Sequence, residues 1–165
     1  MEDIYVIFNN GHFELMADMV IKGKEEKKEQ FATAMGKIDE SGNLKVEDFD
    51  IWDNSLLSQS ETTVSPKSQK KWDSIAFNIK SKNTDFIITL HTHPEWYGTN
   101  PYGLDETDKK TFKSWTKMFN DFDNNSGIIC INGIVADNGG LLLTVYDEKT
   151  NRFIPIKYKI NERSR

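Results

Sequence analysis

Two histidines separated by one residue, His91 and His93, end the apolar run Phe86 to Leu90 and are followed at once by Pro94. In an extended strand, residues i and i+2 point to the same face. The two imidazoles therefore project together from the end of a strand, where they can chelate one ion. Thr92 faces the other way, and Pro94 stops the ladder because it has no N–H to give. Downstream, Asp105 and Asp108 open a helical pattern. Asp105 is a residue type suited to an N-cap. Asp108, three residues on, falls near the exposed N–H groups of the first turn, and its carboxylate can turn toward the histidines. Two histidines and one carboxylate leave a fourth tetrahedral position for water, the pattern of a catalytic rather than a structural zinc. A water bound there is acidic enough to serve as hydroxide near neutral pH. A lone His-x-His pair in a strand is more often structural. The proline and the acid at a helix start are what point to one zinc ion.

The rest of the chain supplies elements to position that pair. Ile4 to Phe8 reads as a strand closed by the turn residues Asn9-Asn10-Gly11. Phe13, Met16, Met19 and Val20 recur at helical spacing, which predicts a helix over about 12–22, with the KGKEEKKEQ stretch as a solvated turn or helix end. Phe31 to Ile38 and Leu44 to Trp52 form a hairpin about Glu40-Ser41-Gly42-Asn43, with a bulge near Asp48. Asp53 to Ser60 reads as loop, and Thr62 to Val64 as a short strand. Ser65-Pro66 predicts a helix start, serine as N-cap and proline at the first helical position, running to about Ser81 with Trp72, Ile75, Ala76 and Ile79 buried. Phe86 to Leu90 is a buried strand. A third helix runs from Asp105 to about Phe122, with Phe112, Trp115, Met118 and Phe119 on one side. Strands over Gly127 to Val135, Leu141 to Tyr146 and Phe153 to Ile160 follow as hairpins. This order predicts an α/β (α+β) protein: a mixed, largely antiparallel central sheet flanked by helices around one core.

Composition bounds the rest. A chain of 165 residues predicts a single domain over 1–165. Its 37% hydrophobic and 28% charged residues suit a globular protein. A net charge of -5 argues against a nucleic-acid partner, which would need a basic face. With one cysteine, Cys130, no intrachain disulfide can form, as expected in a reducing cytosol. The start, MEDIYVIF, has acids where a signal peptide carries positive charge, and no apolar run approaches the length of about 18 residues that spans a bilayer. A cytoplasmic protein with no membrane partner is expected. Cys130 is expected to be a buried small hydrophobe, and His12 a surface or capping residue.

These residues resemble the JAB/MPN metalloproteases of prokaryotic type, whose JAMM motif joins an upstream glutamate, a His-x-His-Pro and a Ser-x-x-Asp at a helix start. His91 to Pro94, HTHP, matches the central part directly, and Asp105-Glu-Thr-Asp108 stands in the Ser-x-x-Asp place. Glu29, before QFATAMGK, fits the context of the upstream glutamate, with Glu25, Glu26 and Glu61 as the other acids on offer. The likeness extends over about 29–146, in the family's order of elements, and implies the JAB/MPN (cytidine-deaminase-like) architecture. It implies zinc held by His91, His93 and Asp108, with Asp105 as the alternative ligand because the loop after Pro94 is longer than the family's usual spacing. It implies Glu29 as the catalytic base of an isopeptidase or protease that hydrolyses a peptide or isopeptide bond, its partner a peptide or protein substrate, ubiquitin-like proteins and tail peptides among them. The family's serine, which helps stabilise the oxyanion, is replaced by Asp105, and an ionised aspartate cannot donate a hydrogen bond. Tyr102 and Thr107 are the substitute donors nearby. Trp96 and Tyr97, with Tyr102, either line a groove for an extended substrate or cover the base of their own loop. The alternative function is a catalytically inactive member of the fold that serves as a binding or scaffold module, and a third is a zinc hydrolase of a different amide.

Overall fold

One strand, β6 (Phe86–His93), is buried at every position. It can be so because it has a hydrogen-bonded strand on each edge and packed layers on both faces. The computed structural model describes residues 3–59, 64–93, 104, 106–122, 127–136 and 140–161. In chain order the elements are β1 (Tyr5–Asn9), α1 (Asn10–Glu26), β2 (Phe31–Ile38), β3 (Leu44–Ile51), β4 (Leu57–Gln59), β5 (Val64–Pro66), α2 (Gln69–Lys80), β6, α3 (Glu106–Asp121), β7 (Ile129–Ala136), β8 (Leu141–Asp147), β9 (Arg152–Pro155) and β10 (Lys157–Asn161). Eight strands form one mixed sheet in the order β10-β1-β3-β2-β6-β7-β8-β9, and β4 pairs with β5 apart from it. The two strands at the ends of that order are separated in the chain by Ile156 alone, so the sheet must curl until its edges meet. Ile156 N–H is held by Leu143 C=O at 3.0 Å.

The period-two alternation of β6 divides the core in two. Phe86, Ile88 and Leu90 join Val6, Phe8, Met16, Met19, Leu44 and Val135 on the side where α1 packs. Ile87 faces the other way, with Phe31, Trp52, Ile75, Ile79 and Phe119, under α2 and α3. The helix-facing halves of neighbouring strands thus bury apolar surface on both sides of one sheet, as the predicted α/β class requires. Among the described residues no helix is long and apolar enough to cross a membrane.

Four local expectations are corrected. Helix α1 begins at Asn10, because Asn9 is its N-cap: the Asn9 side chain accepts from His12 N–H at 2.9 Å and His12 Nδ1 accepts from Asn9 N–H at 3.1 Å. The turn-like Asn9-Asn10-Gly11 is therefore a helix start, and His12, 7% exposed, is a capping residue but not a surface one. The helix also runs through Glu26, ending where Lys27 takes a left-handed conformation, φ 55°. Helix α2 is capped by Ser68, whose side chain accepts from Lys71 N–H at 3.2 Å. Ser65 and Pro66 instead lie in β5, where an edge strand tolerates a missing N–H. Leu57–Gln59, expected as loop, is the strand β4 that pairs with it. The expected strand over Phe153 to Ile160 is two strands: β9 pairs with β8, and β10 crosses to pair in parallel with β1. The bulge expected near Asp48 is present, with Met35 opposite Asp48 and Gly36 opposite Val46, leaving Glu47 over.

Candidate metal centre

The centre is built from the end of β6 and the first turn of α3. His91 and His93 share the face of β6 turned toward α3, and Thr92 points to the α1 side. There Thr92 Oγ1 accepts from Gln30 N–H at 2.9 Å and Thr92 N–H donates to Gln30 C=O at 3.2 Å. On α3 the buried residues are Asp108, Phe112, Thr116 and Phe119, one stripe at helical spacing. Asp108 is the first member of that stripe, so packing Phe112 and Phe119 against the sheet delivers its carboxylate to the strand end. Its place in the first turn also suits a negative charge.

The ligand atoms converge. His91 Nε2 lies 3.0 Å from His93 Nε2 and 3.1 Å from Asp108 Oδ1, and His93 Nε2 lies 3.1 Å from Asp108 Oδ2. All three residues are buried, at 3%, 4% and 9% exposure. Burial pushes the Asp108 carboxyl up, yet the hydrogen bonds and charge of His91 and His93 outweigh it and hold the carboxyl well below the usual carboxylate range. With both Nε2 atoms deprotonated, the two imidazoles and the carboxylate would present lone pairs to one point, and a cation there relieves that repulsion. A tetrahedral ion with bonds of about 2.0–2.1 Å spaces its ligand atoms about 3.3 Å apart, close to the 3.0–3.1 Å separations here. The group His91, His93 and Asp108 could hold a metal ion, and its donor set fits zinc.

Beside these ligands lies a cavity of about 300 Å³, whose lining includes Glu29, His91, Thr107, Asp108 and Thr111. Glu29 precedes β2 and is 3% exposed, whereas Glu25 and Glu26 are exposed on α1. Its placement follows from register. Phe31 pairs with His91 across the antiparallel β2–β6 ladder, and the Gln30–Thr92 hydrogen bonds carry the pairing one residue further. Continued two residues beyond Phe31, this alternation would turn Glu29 to the face that both histidines share, and Glu29 and His91 do line the same cavity. Thr107 lines the cavity as a hydroxyl donor, and Thr111, one turn on, is a lining residue that the sequence did not single out. Asp105, Tyr102, Trp96, Tyr97 and Glu61 lie outside the described residues.

Behind the centre a polar chain ties its two carriers together. Thr89 on β6 donates to Asn132 Oδ1 at 2.6 Å, and Asn132 Nδ2 donates to Thr116 Oγ1 on α3 at 3.4 Å. Thr144 on β8 donates to the Asn132 C=O at 3.2 Å. Thr89 is two residues before His91 and Thr116 two turns after Asp108, so this network fixes α3 against the histidine strand. Nothing in the sequence marked Asn132, because its partners come from three separate elements. Cys130, 5% exposed, is the buried small hydrophobe expected, and burial together with the Glu148 charge pushes its thiol up to about 12.

The fold and centre together define an α+β protein with a buried two-histidine, one-carboxylate group facing a cavity. No protein-family model and no curated protein matches the chain. Among solved structures it is similar to the solution structure of protein DSY2949 from Desulfitobacterium hafniense, at 14% identity and a TM-score of 0.64, over 96% of this chain and 94% of that one. At that identity the likeness is one of fold.

Proposed function

We propose that the protein is a zinc-dependent hydrolase of the JAMM type that cleaves a peptide or isopeptide bond. The observation that carries this is the placement of buried Glu29 in the same cavity as His91 and Asp108. His91, His93 and Asp108 would hold the zinc, which when bound would supply a Lewis acid and make a water in the cavity more acidic. Glu29 accepts that water's proton on its carboxylate and returns it to the leaving amine, one group acting first as base and then as acid. The Thr107 and Thr111 hydroxyls, which line the same cavity, can donate to the carbonyl oxygen as charge develops on it. They stand in for the donor that Asp105 does not supply.

The test is metal content and turnover measured together on wild type and Glu29→Gln. Wild type is expected to take up about one equivalent of zinc and to hydrolyse a peptide or isopeptide substrate. Glu29→Gln should keep the zinc and lose about a hundredfold or more of the rate, the contribution of a placed general base. Less than a tenth of an equivalent after metal loading refutes the hydrolase and the metal site at once. Zinc held without turnover on any peptide panel would leave a non-catalytic binding module instead.

A further inference from the structure

The lining of the cavity at the metal centre also has an apolar wall. Besides Glu29 and Asp108 it includes Trp72, Trp115, Met118, Val64 and Pro66. Trp72 and Trp115 are half-buried, while the rings that hold them are fully buried. Phe31 packs at 5.4 Å from Trp115 and 6.3 Å from Trp72, and Trp52 at 4.9 Å from Trp72. The two indoles are therefore held by buried rings while they line the cavity. Ordered aromatic walls of this kind bind apolar groups without losing side-chain freedom on binding.

We infer, on the basis of the hydrolase proposed above, that this wall is a specificity pocket for a bulky apolar side chain, aromatic or large aliphatic, on the substrate residue next to the cleaved bond. Continuity places it there, because one cavity is lined by His91 and Asp108 as well as by the indoles. Charge excludes one alternative: no lysine or arginine lines the cavity among the described residues, and Glu29 and Asp108 repel an acidic side chain. Size excludes another. A volume of about 300 Å³ is at the small end of ligand pockets, enough for one large side chain and its flanking backbone, whereas a glycine would leave the apolar wall wet.

The test uses two zinc-chelating probes of different bulk, acetohydroxamate and the hydroxamate of N-acetyl-phenylalanine, titrated into the zinc-loaded full chain and read by tryptophan fluorescence and calorimetry. The aromatic probe should bind about ten- to a hundredfold more tightly, the value of burying one aromatic side chain, and should quench or shift the indole emission more than acetohydroxamate does. In Trp115→Ala and in Met118→Lys the ratio of the two affinities should fall toward one. The second variant introduces a charge at a half-buried position and so covers the case in which the first does not fold. Peptide substrates should rank the same way, phenylalanine or leucine above glycine and glutamate by kcat/KM. Equal affinities for the two probes on zinc-loaded wild type would overturn the pocket and leave the hydrolase standing. A chain that takes up no zinc would overturn both, and the metal measurement made first distinguishes the cases.

Discussion

Replacing Asp108 with alanine removes the one charged ligand and leaves two imidazoles on β6. The consequence can be sized from linkage. With free zinc at about a thousand times its dissociation constant, binding to the native state alone adds about 4.1 kcal/mol to stability. For a chain of this size, about 2–4 °C of Tm per kcal/mol makes that about 8–16 °C. The unfolded chain competes poorly, having one cysteine and three histidines. Loss of a residue merely supporting a ligand costs about 10–100-fold in metal affinity, so loss of a ligand costs at least a hundredfold. At the same zinc concentration the variant then sits at about ten times its dissociation constant or lower, worth about 1.4 kcal/mol, or at most about 3–6 °C. The assay is thermal unfolding followed by circular dichroism, with and without zinc, on wild type, Asp108→Ala and Glu29→Gln. Wild type and Glu29→Gln should show the full zinc-dependent rise, and Asp108→Ala no more than a third of it. An equal rise in Asp108→Ala would mean that zinc binds elsewhere, and the convergence of the three side chains would lose its meaning.

Three further outcomes are expected. Asn132→Ala leaves the Thr89 and Thr116 hydroxyls buried without their partner, which costs about 1–3 kcal/mol each, and loosens α3 on the histidine strand. Equilibrium unfolding should show about 2–4 kcal/mol lost, and zinc titration about a tenfold weaker affinity; lost stability with zinc affinity untouched would make the network structural only. Cys130 has a folded pKa raised to about 12 from 9.0, so its contribution is full below pH 9 and is lost above it, where the unfolded chain gives up the proton first. The stability gap between wild type and Cys130→Ala should therefore narrow by about 1.4 kcal/mol between pH 8 and pH 10, measured by denaturant titration at each pH, and a constant gap would contradict the burial argument. A Cβ at Gly36 would stand 1.9 Å from the Lys45 carbonyl oxygen and 2.9 Å from the Phe86 ring. Gly36→Ala should cost more than about 3 kcal/mol, and a Tm within 2–3 °C of wild type, equivalent to about 1 kcal/mol, would refute it.

What was legible in the sequence was whatever local spacing encodes. His91 and His93 share a face because a strand alternates, and Asp108 joins them because it leads the stripe Phe112, Thr116, Phe119. Both facts need only one element each. Glu29 was reachable through family likeness and is explained by register, since its position depends on how β2 pairs with β6. Ser65-Pro66 misled because the capping pattern and an edge strand both tolerate that dipeptide, and only the packing of α2 decides between them. The crossing at Ile156 was out of reach for a related reason. Phe153 to Ile160 looks like one strand locally, and its split is imposed by β1, some 150 residues away in sequence. Asn132 illustrates the same limit: a buried amide acquires its role from Thr89, Thr116 and Thr144, none of them its neighbour in the chain.

The pairing of β1 with β10 carries a mechanical consequence. The two strands run parallel, matched from Tyr5 with Lys157 to Asn9 with Asn161. A force drawing Tyr5 and Asn161 apart acts along both strands in opposite senses and loads every hydrogen bond of that ladder together, whereas a force on Asn9 and Asn161, at the same end, opens the bonds one by one. The last strand is thus a shear clamp across the closure of the sheet. Single-molecule stretching through the first pair of points should meet a higher rupture force than stretching through the second. Equal forces would show that resistance lies elsewhere in the sheet.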